Sequence, residues 1–117
     1  MITLKETKRR IKDEPRWWCI HLMNFVDDFR RTRDLRALEE PIDVDDQKMD
    51  ALLASTAESL CDELKLRPPV WLENVPECEQ PWFVGDLERL KAISIVESPL
   101  RFRMRKIFVL ENFLSRV

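Results

Sequence analysis

The sequence predicts a mainly α-helical single domain carrying a proline- and tryptophan-rich strap, with room for a short β element near the C-terminus. Three observations predict it. The chain of 117 residues has one glycine, Gly85, too few for the positive-φ turns of a hairpin-rich fold. Apolar residues recur at helical spacing in several segments. Seven prolines fall mostly between those segments, where they stop helices and set extended geometry.

Residues 1–12 read as a basic N-terminal arm that could be flexible. The stretch DEPRWWCIHLMNFVDDFRRTRDLRALEE predicts one long helix that Pro41 brings to an end. Pro15 suits a first turn, and Asp13 or Glu14 suits its start. Trp18, Leu22, Phe25 and Phe29 share one face, while Asp27 and Asp28 can pair along the helix with Arg30, Arg31 and Arg33. A second helix is predicted from about Asp46 to Leu66, capped by Asp45 or Asp46. Met49, Leu52, Leu53, Thr56, Leu60 and Leu64 form its stripe, and Ala51, Ala54 and Ala57 allow a close neighbour.

Pro68 and Pro69 end that helix and open RPPVWLENVPECEQPW, which holds four of the seven prolines and two of the four tryptophans. Such a segment fits a strap drawn across a helical core, since proline has already restricted the unfolded chain. The alternative is an apolar groove around Trp71, Trp82 and Phe83. A third helix is expected from Gly85 or Asp86 to about Val96, with Leu87, Leu90 and Ile93 or Ser94 inside. From Arg101 to Lys106 the reading stays open: alternation suggests a strand, and Ser98–Pro99 could start a helix.

Composition narrows the function. The chain is 44% hydrophobic and 36% charged, enough for a core and a solvated exterior. Three cysteines, Cys19, Cys61 and Cys78, are odd in number and irregularly spaced, which predicts free thiols in a reducing cytoplasm. MITLKETKRRIK lacks an apolar h-region, and no apolar run approaches a membrane span. Net charge is −2, but residues 1–16 hold six Lys/Arg against three Asp/Glu, and residues 97–117 five against two. The middle is strongly acidic. Basic ends can pair with that middle inside the fold or face an acidic partner.

Catalytic and metal patterns are sparse. His21 is the only histidine, and Cys19 and His21 are two apart, pointing different ways on a helix. No metal site or cofactor is expected. A Cys–His pair could use His21 with Cys61 or Cys78, but Cys61 sits beside an apolar stripe, where cysteine is usually a small buried hydrophobe. No catalytic residue is assigned. With one glycine there is no phosphate loop.

The basic tail offers more. If extended, Arg101, Arg103 and Arg105 would line one face at steps of about 6.6 Å, suited to an acidic protein partner or to nucleic-acid phosphates. The bland alternative pairs these arginines with the chain's own acidic middle. Trp17 and Trp18 lie about 100° apart on a helix, so one of them should meet the strap or a partner.

The patterns ALLASTAESLCDELKLRPPVW, PWF and ESPLRFRMRKIFVLENFLSRV, over roughly residues 50–117, resemble a loose group of small uncharacterised bacterial proteins. Some of those are fused to helix-turn-helix domains or lie near toxin–antitoxin-like nucleotidyltransferases. The resemblance implies a bacterial, cytoplasmic, non-enzymatic and antitoxin-like role and carries over no active residue. The chain has no helix-turn-helix segment of its own. The expected function is a protein-interaction or regulatory module contacting its partner through Arg101, Arg103, Arg105, Lys106 and Trp17; nucleic-acid binding by the same tail is the alternative. No membrane contact is expected.

Overall fold

The structure, a computed structural model, describes residues 1–85 and 90–115. It is mainly helical. Helices α1 (Leu4–Asp13), α2 (Trp18–Thr32) and α3 (Gln47–Leu64) are followed by strand β1 (Trp82–Phe83), short helices α4 (Lys91–Glu97) and α5 (Leu100–Met104), and strand β2 (Ile107–Phe108). Short 3-10 turns occupy Pro15–Trp17, Leu35–Leu38 and Val70–Asn74. The radius of gyration, 13.3 Å, is that of a compact chain of this length.

Within the N-terminal segment, expected as a basic arm that could be flexible, residues Leu4–Asp13 form α1. Thr3 caps it, accepting the Glu6 N–H at 3.0 Å. Leu4, Thr7, Lys8 and Ile11 turn to the core, one face at the spacing a helix requires. Lys8 is the unexpected member. Its ammonium lies 2.6 Å from Asp50 and 2.7 Å from Asp45. Burial pulls the Lys8 pKa down, but hydrogen bonds and charge from Asp45 and Asp50 outweigh it, and the net shift is upward. Asp45 also meets Lys12 at 2.5 Å. Lys12 first, and Lys8 after it, bring the Asp45 carboxyl from its usual 3.8 to about 2.

The long helix predicted from Pro15 towards Pro41 is shorter at both ends. Pro15 opens a 3-10 turn, and α2 ends where Arg33 enters the left-handed region at φ 52°. Asp34 then accepts the Arg36 N–H at 3.0 Å and starts another 3-10 turn. The apolar stripe explains the break. Leu22, Phe25 and Phe29 are buried, but the next positions of that face are Thr32, Arg33 and Arg36. Leu38 lies on the opposite side of a continued helix and reaches the core only if the chain turns. Asp28 pairs along the helix with Arg31, whereas Arg30 reaches across to Glu63 at 2.8 Å.

Helix α3 is the axis of the core. Asp46 caps it, accepting from the Met49 N–H. Its residues from Asp50 to Glu58 are all buried, as are Leu60 and Cys61, the mark of a helix surrounded by protein. Packed around it are α1, α2, α5 and the Val70–Asn74 turn. It ends with Lys65 at φ 58°, a conformation that costs a non-glycine residue about 1 kcal/mol. Lys65→Gly is therefore expected to raise stability by about 1 kcal/mol, read from the urea unfolding midpoint.

The proline-rich segment is a strap. Leu72, Val75 and Cys78 are buried, and the Trp71 indole N–H donates to the Leu38 carbonyl at 2.7 Å. Past Cys78 the strap pairs with the tail: Cys78 N–H donates to Arg105 O, Trp82 N–H to Lys106 O and Val84 N–H to Phe108 O, at 2.9, 2.8 and 3.2 Å. This is the parallel β1–β2 pair, Trp82 opposite Ile107 and Phe83 opposite Phe108, with the two phenyl rings stacked 5.1 Å apart. The third helix, expected from residue 85 or 86, starts at Lys91 among the described residues. Asp86 and Leu87 lie outside them.

Candidate interaction surface

The basic tail is not an extended arginine strip. Arg101 and Arg103 are on helix α5, and Arg105 follows it as the C-cap. Pro99 fixes the preceding turn, and the Phe102 and Arg103 N–H groups both donate to its carbonyl at 3.1 Å. Helical geometry turns Arg103 away from Arg101 and Arg105, which lie one turn apart and both reach Glu58 of α3.

Arg105 goes inward and is 7% exposed. Its guanidinium pairs with buried Glu58 of α3, donates to the Leu72 carbonyl at 2.7 Å and the Val75 carbonyl at 3.2 Å, and reaches Ser55 at 3.4 Å. One side chain thus joins the central helix, the strap and the tail. Arg101 lies against α3 at the surface, with two hydrogen bonds to Asp62 at 2.8 and 3.1 Å and Glu58 at 3.4 Å. Lys106 sits 3.5 Å from Glu77. Only exposed Arg103, of the four cations expected to bind a partner, has no ion-pair partner among the described residues.

The surface that does face outward is apolar. Helix α4 buries Ser94 and exposes Ile93 at 45%, Ile95 at 49% and Val96 at 78%. On α5, Leu100 is 61% exposed and Met104 58%. Leu100, Arg103 and Met104 share one helical face by their spacing. Ser98 explains part of this orientation. Its hydroxyl lies 2.6 Å from the Ser94 carbonyl and accepts the Val109 N–H at 2.8 Å. The C-terminal end of α4 is pinned to the tail by its polar side, which turns Ile95 and Val96 to solvent.

Trp17 is exposed, with the Arg16 guanidinium 5.0 Å above its ring, and Ile20 one turn on is exposed as well. The expected groove residues separate. Trp71 is committed to Leu38. Trp82 lines a cleft with Lys48, whose ammonium lies 5.6 Å from its ring. Phe83 lines both that cleft and a second cavity of about 310 Å³, which it shares with Trp18, Ser94 and Phe113.

Thiol chemistry gets no support from position. No hydrogen bond joins His21 to a cysteine among the described residues; its Nε2 lies 3.1 Å from Glu14. Cys61 is fully buried, and burial, with the Asp62 and Glu58 charges, pushes its thiol up to about 11. Burial likewise raises Cys78. A thiol reagent is expected to modify exposed Cys19 in the native protein and to reach Cys61 and Cys78 only on unfolding; a mass spectrum of the labelled chain checks this. Among the described residues no group of three or more His, Cys, Asp or Glu could hold a metal ion. No described helix is long and apolar enough to cross a membrane.

No family model, curated protein or solved structure matches the chain.

Sequence reasoning missed the outer residues of α4 and α5. The signal was present in AISIVESPL, an apolar run too dense for one buried stripe.

Proposed function

We propose that the chain is a non-enzymatic protein-interaction or regulatory module, antitoxin-like in the sense that its target is another protein. It docks through the outer faces of α4 and α5. The observation that supports this most is the orientation of α4, which buries a serine while leaving Ile93, Ile95 and Val96 in water. Clustered exposed apolar residues of this kind are what an interface presents, and Leu100 and Met104 are exposed on the next helix as well. The occupant is an amphipathic segment of a protein partner, its apolar side on these residues and a carboxylate opposite Arg103. Charge complementarity argues for the carboxylate, because the other tail cations already face Glu58, Asp62 and Glu77. The same pairing leaves few cations for a nucleic-acid backbone.

The test is affinity capture from the native cell extract with nuclease present, followed by reconstitution from purified components. Val96→Asp/Leu100→Asp is expected to weaken the reconstituted complex by at least about tenfold, with circular dichroism unchanged. Arg103→Glu weakens it less, and Val44→Asp, at another exposed position, leaves it intact. Capture that depends on nucleic acid, or that survives the double substitution, would overturn the proposal. A mass of twice the chain on reconstitution would name a second copy as occupant instead.

A further inference from the structure

Strand β1 has one edge that its own fold leaves open. Among the described residues the sheet has two strands, and β2 covers one side of β1 only. Trp82 N–H donates to Lys106 O and Val84 N–H to Phe108 O. Successive peptide groups of a strand point to opposite edges, so Phe83 between them turns its N–H and C=O away from β2. Neither group has a hydrogen-bond partner among the described residues, and Phe83 is only partly buried. A cleft of about 500 Å³ lies along this stretch. Pro81 to Val84 line it in unbroken sequence, together with Trp18 of α2 and Lys48 and Met49 of α3. No residue of β2 lines it, which puts the cleft at the free edge and not at the paired one.

We propose that β1 takes an extended acidic segment of another protein as a third strand along this edge. An unpaired backbone donor and acceptor on one residue are matched by a second backbone, which is how peptides add to sheet edges. In antiparallel register one peptide residue exchanges both hydrogen bonds with Phe83, and its neighbour falls opposite Trp82. Lys48 stands there, exposed, its ammonium 5.6 Å from the Trp82 ring and with no ion-pair partner among the described residues. It selects a carboxylate on the peptide residue opposite Trp82. Lys91 also lines the cleft but already has partners, the Phe83 ring at 5.3 Å among them, so the selection falls to Lys48. Trp18 and Met49 offer the segment's apolar side chains a surface. Pro81 and the shortness of β1 keep the edge from pairing with copies of itself. The site is independent of the outer residues of α4 and α5.

Selection of random heptapeptides, displayed on phage, against the purified full chain tests it, followed by calorimetry and amide exchange with a synthetic peptide of the selected sequence. The expected ligand alternates apolar residues and carries one Asp or Glu next to the residue paired with Phe83. It slows exchange of the Phe83 amide at least about tenfold. Phe83→Pro removes the free donor while the Trp82 and Val84 donors of the β1–β2 pair remain, and it weakens the peptide about tenfold. Phe83→Leu, which keeps the donor, binds nearly as well as the native chain. Lys48→Glu, a change that the first turn of α3 favours, weakens the acidic peptide about tenfold and spares its Asn or Gln analogue. Val96→Asp/Leu100→Asp leaves peptide binding unchanged, so failure of this site and failure of the α4–α5 surface are told apart. No enriched sequence, a selected peptide that leaves the Phe83 amide exchanging at its free rate, or one that tolerates Lys48→Glu would overturn the assignment.

Discussion

Replacing Arg105 by Met is expected to cost about 3–5 kcal/mol of folding stability, a large share of the total for a single domain. The substitution removes the guanidinium buried with Glu58 and leaves that carboxylate only Arg101, at 3.4 Å. It also strips the Leu72 and Val75 carbonyls of their donor, and each orphaned buried acceptor adds to the loss. Glu58→Leu is expected to do comparable damage from the other side, because Arg105 is then the unpaired charge. The double variant Glu58→Leu/Arg105→Met should be less harmful than the two single losses added together, since it removes both charges at once. Urea unfolding of the four proteins gives the cycle. A loss for Arg105→Met below about 1 kcal/mol, the scale of a surface pair, would mean that the tail arginine faces solvent and that the strap is not held by it.

Asp50→Ala is the second large effect, expected at about 3 kcal/mol. Asp50 is buried at the start of α3 and accepts the N–H groups of Asp45 and Asp46 at 2.9 and 2.8 Å. It also faces the Lys8 ammonium at 2.6 Å. Truncation leaves the Asp45 and Asp46 N–H groups without their acceptor and the buried Lys8 ammonium with only Asp45 and the Asp43 carbonyl. Lys8→Met should cost less, because Asp50 keeps both backbone donors. The same unfolding measurement decides, and the order matters as much as the size. If Lys8→Met were the more damaging change, the Lys8 charge rather than the capping of the α3 start would be what Asp50 is there for.

How much of this was legible in the sequence follows from which signals are local. The α3 segment was readable because its cap, its apolar stripe and its terminating prolines agree. The strap was readable because four prolines and two tryptophans leave few other conformations. The early end of α2 was harder: with one glycine in the chain, helix ends fall on Arg33 and Lys65 in left-handed geometry, and neither residue type announces a stop. Helix α1 carried a readable signal in Thr3 and the spacing of Leu4 and Ile11, masked by its basic composition.

The candidate surface was only partly readable. The sequence supplies four tail cations and an acidic middle, and either internal or external pairing satisfies their charges. Their assignment depends on contacts more than thirty residues apart, such as Arg101 to Asp62 and Arg105 to Glu58, which no periodicity encodes. The exposed apolar side chains of α4 were hidden for the converse reason. Apolar residues are read as core by default, and only the placement of Ser94 and Ser98 shows that α4 is turned outward.

The central claim is that α4 and α5 dock a protein through their outer apolar residues, and site-specific photo-crosslinking in the native cell tests it most directly. A benzophenone amino acid replaces Val96, Leu100 or Val44 in turn, all exposed in the free chain. The expected result is one discrete protein adduct, the same from positions 96 and 100 and absent from position 44. Adducts of equal strength from position 44, or none from 96 and 100 while the protein remains folded, would contradict it.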